Sequence, residues 1–90
     1  MKIEEILDEI TQICKRNSVK EVYLFGSYAT GTATDTSDID IIVKGVSDIG
    51  ALQEQMDQIP TLKKIDLFDY DACQNKYLLE AMNRDGTKIY

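Results

Sequence analysis

The sequence predicts a mixed α/β domain of the α+β kind, a small mixed β-sheet packed with helices. Three observations lead there. Apolar residues recur at helical spacing over the first sixteen positions. Short runs rich in β-branched and aromatic residues then stand at Val19–Phe25, Asp38–Val43 and Lys64–Phe68. Two further helical periods lie between the second and third of these runs and after the third.

Taken in order, Ile3, Ile6, Leu7, Ile10, Ile13 and Cys14 form one face of a helix spanning roughly residues 2 to 16. Glu4, Glu5, Asp8 and Lys15 occupy the other face, and the early acidic residues suit the positive end of the helix dipole. The apolar stripe is read as core. Asn17 and Ser18 end the helix, and Val19–Phe25 is the first strand. Gly26 and Ser27 fall at a strand-to-helix turn, after which Ser27 to Thr30 makes a brief helix that Gly31 stops. Thr32 to Ser37 is a polar loop carrying Asp35. Asp38–Val43 is the second strand, closed by Lys44-Gly45. Ser47 or Asp48 caps the next helix, with Ile49, Leu52, Met56 and Ile59 along one face, and Pro60 ends it. In the third strand, Ile65 and Leu67 share one face, Asp66 and Phe68 the other. Asp71 or Ala72 opens a last helix bearing Tyr77, Leu78, Ala81 and Met82, which Asp85-Gly86 terminates. Thr87–Tyr90 adds a short edge strand. With no repeat, linker or low-complexity tract, residues 1–90 are expected to form one domain.

Composition narrows the function classes. Apolar residues at 43% and charged residues at 29% describe an ordinary globular chain. A net charge of −6 argues against direct nucleic-acid binding, which needs a basic face for phosphates. The longest apolar run, Val22–Phe25, is far short of the roughly 20 residues of a membrane helix, so no membrane contact is expected. Lys2, Glu4, Glu5 and Asp8 break any signal-peptide-like apolar region. Cys14 and Cys73 lack metal-ligand spacing and a disulfide-rich context, so reduced thiols and a cytoplasmic location are expected. The absence of histidine excludes Ser-His triads and His-based metal sites.

The chemistry concentrates in Gly26–Val43, GSYATGTATDTSDIDIIV. Glycine at a strand-to-helix turn lets a phosphate approach the backbone, and the amides beyond it form an anion-binding nest. Asp38 and Asp40 stand one residue apart, so on a strand both carboxylates project from one face, opposite Ile39, Ile41 and Val43. Like charges held that close repel unless a cation lies between them. Carboxylate oxygens suit Mg²⁺, which keeps several waters and takes one or two carboxylates plus substrate phosphates. A charged Asp66 in an otherwise apolar strand calls for an account of its own.

Gly26-Ser27, ten residues, then Asp38-Ile39-Asp40 resembles the Gly-Ser-x10-Asp-x-Asp motif of the nucleotidyltransferase superfamily that includes DNA polymerase β. Within it, the chain is similar to the minimal nucleotidyltransferase proteins, many of them antitoxins of HEPN–MNT toxin–antitoxin pairs. The similarity extends over almost all ninety residues, from the leading helix through the later Asp-bearing strand to Asp85-Gly86-Thr87-Lys88-Ile89-Tyr90. It implies the nucleotidyltransferase fold, with Gly26 and Ser27 holding the β and γ phosphates of ATP. It further implies that Asp38 and Asp40 ligate two Mg²⁺ ions. Asp66 would complete the carboxylate triad, binding the second metal and assisting the attacking hydroxyl. Many members carry an arginine in the segment matching Tyr28-Ala29-Thr30. Its absence here leaves phosphate charge to the metals, the amides and Lys44, Lys63 or Lys64.

The resemblance supports transfer of AMP from ATP to a hydroxyl of a partner, such as a tyrosine of a HEPN toxin, in a hetero-oligomer. A second reading is an antitoxin that masks its toxin by contact over a weak nucleotide site. A third is one half of a split small-molecule nucleotidyltransferase. Three clustered carboxylates favour the first over the second. Ninety residues leave no room for a helical acceptor-holding domain, so each reading expects a helical partner, and an acidic chain suits a basic one.

Overall fold

The computed structural model describes residues 2–90. Helix α1 runs Ile3–Arg16, with Glu4 and Glu5 in its first turn and Lys15 and Arg16 in its last, each complementing the local end of the dipole. Glu5 also accepts the Lys2 backbone N–H at 3.0 Å. Its C-terminus explains why the first strand begins later than expected. Ser18 takes a left-handed φ of 58°. The N–H groups of Ser18 and Val19 then turn back to the carbonyls of Lys15 and Cys14, both at 3.1 Å, as a Schellman closure. Val19 is thereby buried as the plug of that turn, and strand β1 covers Glu21–Phe25.

The short helix α2, Ser27–Thr30, follows at once and ends at left-handed Gly31, as its glycine predicts. Strand β2 is Ile39–Lys44, leaving Asp38 one residue ahead of it. Helix α3, Ile49–Met56, is capped by the Asp48 carboxylate, which accepts the Ala51 N–H at 3.1 Å. It stops short of Ile59: the residue before a proline avoids helical geometry, and Ile59 is buried from the turn beyond instead. Strand β3 is Ile65–Asp69, and helix α4 is Lys76–Asp85. The last helix starts four residues later than Asp71 or Ala72 would place it. Two aspartates account for this: Asp69 accepts the Asp71 N–H at 3.0 Å, and Asp71 accepts the Gly45 N–H at 2.8 Å. These bonds hold a turn, and Asn75 caps the helix proper through the N–H groups of Tyr77 and Leu78. Tyr77 consequently faces solvent. A two-residue strand β4, Thr87–Lys88, closes the chain, and Ile89 and Tyr90 bond to Val22 beyond it.

The sheet order is β3-β2-β1-β4. β1 runs antiparallel to both β2 and β4, while β2 and β3 are parallel across the α3 crossover. One face is the main core: Val22, Leu24, Ile39, Ile41, Val43 and Ile65 meet Ile6, Ile10, Ile13 and Cys14 of α1 and Leu52 and Met56 of α3. Burial raises the Cys14 thiol to about 11 and leaves it an inert apolar residue. Paired side-chain amides join the two helices, Asn17 Nδ2 donating to Gln55 at 3.0 Å and Gln55 Nε2 donating back at 3.2 Å. The opposite face carries Tyr23, Phe25, Asp40, Ile42, Lys44, Asp66 and Phe68. Among the described residues, only its upper part is covered, where α4 buries Met82 beside Ile42. The lower part is open, and there the carboxylates stand.

Candidate functional site

Strand register assembles the site. β1 ends, and β2 and β3 begin, at the same edge of the sheet, with Phe25 opposite Asp40 and Asp40 level with Asp66. Neighbouring strands lie about 4.8 Å apart, so the row Phe25, Asp40, Asp66 sets two carboxylates side by side with an aromatic ring as flank. Phe68, two residues beyond Asp66, meets Phe25 edge to face at 6.5 Å between ring centres. Asp38 lies one step down β2 on the same side, exposed at the mouth.

Gly26 stands against this row. Its φ of 74° and ψ of −148° belong to backbone space that only glycine occupies readily. A Cβ there would also collide with the Asp40 carboxylate. The missing side chain thus lets the Asp40 carboxylate close directly onto the turn, and Ser27 opens α2 next to it. The carbonyl of Gly26 accepts the N–H groups of Ala29 and Thr30 at 3.0 and 3.1 Å. The first turn of any helix leaves amides without intrahelical partners, and here those amides border the carboxylate row.

Electrostatics agree with the geometry. The Asp40 carboxyl is held above the ordinary carboxylate range, first by burial and then by the like charges of Asp66 and Asp38. The three side chains are close enough to feel one another. Among the described residues, however, no three acidic or thiol side chains converge tightly enough to grip a cation as they stand. Mutual repulsion splays uncompensated carboxylates, and Asp66 is turned to Lys64, whose Nζ lies 3.5 Å from its Oδ1. The donor set is nevertheless of the hard-oxygen kind that Mg²⁺ takes, and the space a Cβ would fill at Gly26 lies at the Asp40 carboxylate. The chemistry of these oxygen donors suits a magnesium ion once the carboxylates turn towards one another.

The three lysines singled out from the sequence have different fates. Lys44 is at the far end of β2, about 13 Å along the strand from Asp40 at roughly 3.3 Å per residue. It packs there between the rings of Tyr23 and Tyr70, 5.1 and 4.2 Å away. Lys63 lies over the Tyr28 ring at 5.5 Å and donates to the Asp35 carbonyl at 2.8 Å, clamping α2 and the 31–38 loop to the segment before β3. Lys64 alone of the three touches a carboxylate of the row. A groove of about 490 Å³ runs between Asp35–Asp38 and Pro60–Lys64 and opens beside Asp38. The Phe25–Phe68 pair and the Tyr28–Lys63 clamp did not emerge as site features from sequence. The signal for the first was present in period-two alternation, which puts Phe68 on the face of Asp66.

Comparison with known proteins accords with this arrangement. Residues 8–90 match the family model described as "Polymerase beta, Nucleotidyltransferase". Two Methanocaldococcus jannaschii proteins that bear the provisional name protein adenylyltransferase are 35% and 34% identical. The first match covers 93% of this chain and 91% of that protein, the second 80% and 82%. Among solved structures, a toxin–antitoxin complex with AMP-PNP shares the fold with a TM-score of 0.75 at 24% identity, over 93% of this chain and 72% of that one. A variant of the MntA–HpeT toxin–antitoxin complex aligns with a TM-score of 0.70 at 26% identity, over 92% and 70%. The sheet order, the glycine turn against the carboxylate row and the match over residues 8–90 lead to one conclusion: this chain belongs to the polymerase β nucleotidyltransferase family.

Proposed function

We propose that the chain transfers AMP from ATP to a hydroxyl on a partner protein, in the setting of a toxin–antitoxin pair. The observation that carries this reading is the rung that places Asp40 between Asp66 and the side-chain-free Gly26 turn. Gly26 and Ser27 would receive the β and γ phosphates through backbone amides and the Ser27 hydroxyl. Asp38 and Asp40 would hold Mg²⁺, with Asp66 a ligand of a second ion. Bound there, magnesium supplies charge neutralisation for the attacking and leaving oxygens. Asp66, on the neighbouring strand, would accept the proton of the attacking hydroxyl. The Phe25–Phe68 pair flanks the row on its inner side. AMP is then retained by the acceptor oxygen while pyrophosphate departs.

The names of the relatives support the reaction class, and the structural neighbours support the antitoxin setting. One neighbouring complex carries a double Asp-to-Glu change at positions two apart, the spacing of Asp38 and Asp40 here. The net charge of −6 suits a basic partner, and a helical HEPN toxin is the partner we propose. A second reading, masking by contact alone, is favoured by one observation: the three carboxylates do not converge as they stand.

The test is intact-mass spectrometry of the co-purified partner after incubation with ATP and Mg²⁺. Transfer adds about 329 Da per event, the mass left when pyrophosphate departs. Asp66→Ala should abolish the gain yet keep nucleotide binding, whereas Asp38→Asn/Asp40→Asn should lose both. A wild-type partner that never gains mass, although ATP binds, would establish the masking reading.

A further inference from the structure

The open face carries a cation within the same block of side chains. Lys64 directly precedes β3, and its carbonyl accepts the Ile39 N–H at 2.8 Å. The parallel ladder therefore continues one step past Ile39 and Ile65, and sets Lys64 beside Asp38. Its Nζ reaches Asp66 at 3.5 Å, while the side chain stays 71% exposed. Asp38 and Asp40, before and on β2, with Lys64 and Asp66, before and on β3, form a square of three anions and one cation.

This square meets a need that the glycine turn leaves open. No lysine or arginine lies between Gly26 and Val43, yet a triphosphate set against three carboxylates requires positive charge. Lys63 is spent on the Asp35 carbonyl and the Tyr28 ring, and Lys44 is held between two tyrosines at the other end of the strand. Among the described residues, Lys64 has only an exposed ion pair, which contributes little and breaks readily. Its ammonium is a compact charge on a flexible stem, free to swing.

We infer that Lys64 is the triphosphate-binding cation of this site, exchanging Asp66 for β- and γ-phosphate oxygens when the nucleotide arrives. The exchange frees Asp66 from its ion pair with Lys64 to turn inward towards Asp40. This rests on the nucleotide-binding reading above.

Calorimetric titration with ATP·Mg²⁺ and, separately, AMP tests it on the wild type, Lys64→Met and a distant control, Lys20→Met. Lys64→Met should weaken ATP binding about tenfold and AMP binding less than about twofold, as loss of a charge-assisted contact to the outer phosphates requires. Lys20→Met should bind as the wild type does. Lys64 is exposed, so the variant should melt within a few degrees of the parent. If Lys64 serves only to neutralise Asp66, both ligands shift together, and that outcome overturns the proposal. Unchanged ATP affinity in Lys64→Met overturns it as well, while leaving the nucleotide reading intact. A wild-type protein that takes up no ATP·Mg²⁺ overturns both.

Discussion

Asp40 is a residue whose charge works against its own fold. Burial and two neighbouring carboxylates raise its folded-state affinity for a proton above that of the unfolded chain. The native state therefore binds more protons between the ordinary carboxylate pKa and the raised one, and stability falls as pH rises through that window. Above the window the penalty is fully present. Asp40→Asn should accordingly raise the melting temperature at pH 7, and the advantage should shrink as pH falls through that window and the parent takes up its proton. Thermal melts of both proteins across that range give the slope directly, and an advantage independent of pH would remove the electrostatic account. Asp38 and Asp40 could be picked out from sequence because alternation dictates a shared face. The place of Asp66 beside Asp40 comes from the family resemblance and not from any local pattern, since it depends on a parallel register that periodicity does not encode.

Among elements, β3 is the one most in need of protection. It lies at the edge of the sheet, where unpaired backbone groups invite association. Gln53 of α3 covers that edge: its Nε2 donates to the Ile65 carbonyl at 2.8 Å and its Oε1 accepts the Leu67 N–H at 3.3 Å. A single amide side chain thus replaces one rung of a missing strand. Gln53→Ala should cost about 1–2 kcal/mol, the penalty of leaving partly buried groups unpaired. Denaturant melts should show the loss, and light scattering on heating should show earlier association. Nothing in the sequence singles out Gln53, because its helix position is read from neighbours whereas its partner lies on another strand. The helices themselves were legible wherever an apolar period ran uninterrupted, as in α1. The start of α4 was not, because Asp69 and Asp71 divert the backbone into a turn that competes with helix nucleation.

At the scale of the whole molecule, mixed α/β architecture and element order follow from periodicity, and α4 packs over the Ile42 end of the second face. What sequence does not disclose is how far apart the pieces of the site are allowed to be. The glycine turn and Asp40 meet across one antiparallel rung, Phe25 opposite Asp40, and the connection between them passes through a loop whose Asp35-Thr36 tip is exposed. Chain distance and catalytic distance are therefore separate quantities. Loop closure grows only slowly more costly with length, by about 0.6 kcal/mol per doubling. Two glycines inserted between Asp35 and Thr36 should leave ATP binding within a few-fold of the parent. One residue deleted from β2 should erase it, because every side chain beyond the deletion then changes face. On that outcome the exposed tip of the ten-residue interval after Ser27 is adjustable slack, and the invariant that an engineer must respect is the hydrogen-bonded pairing of two strands.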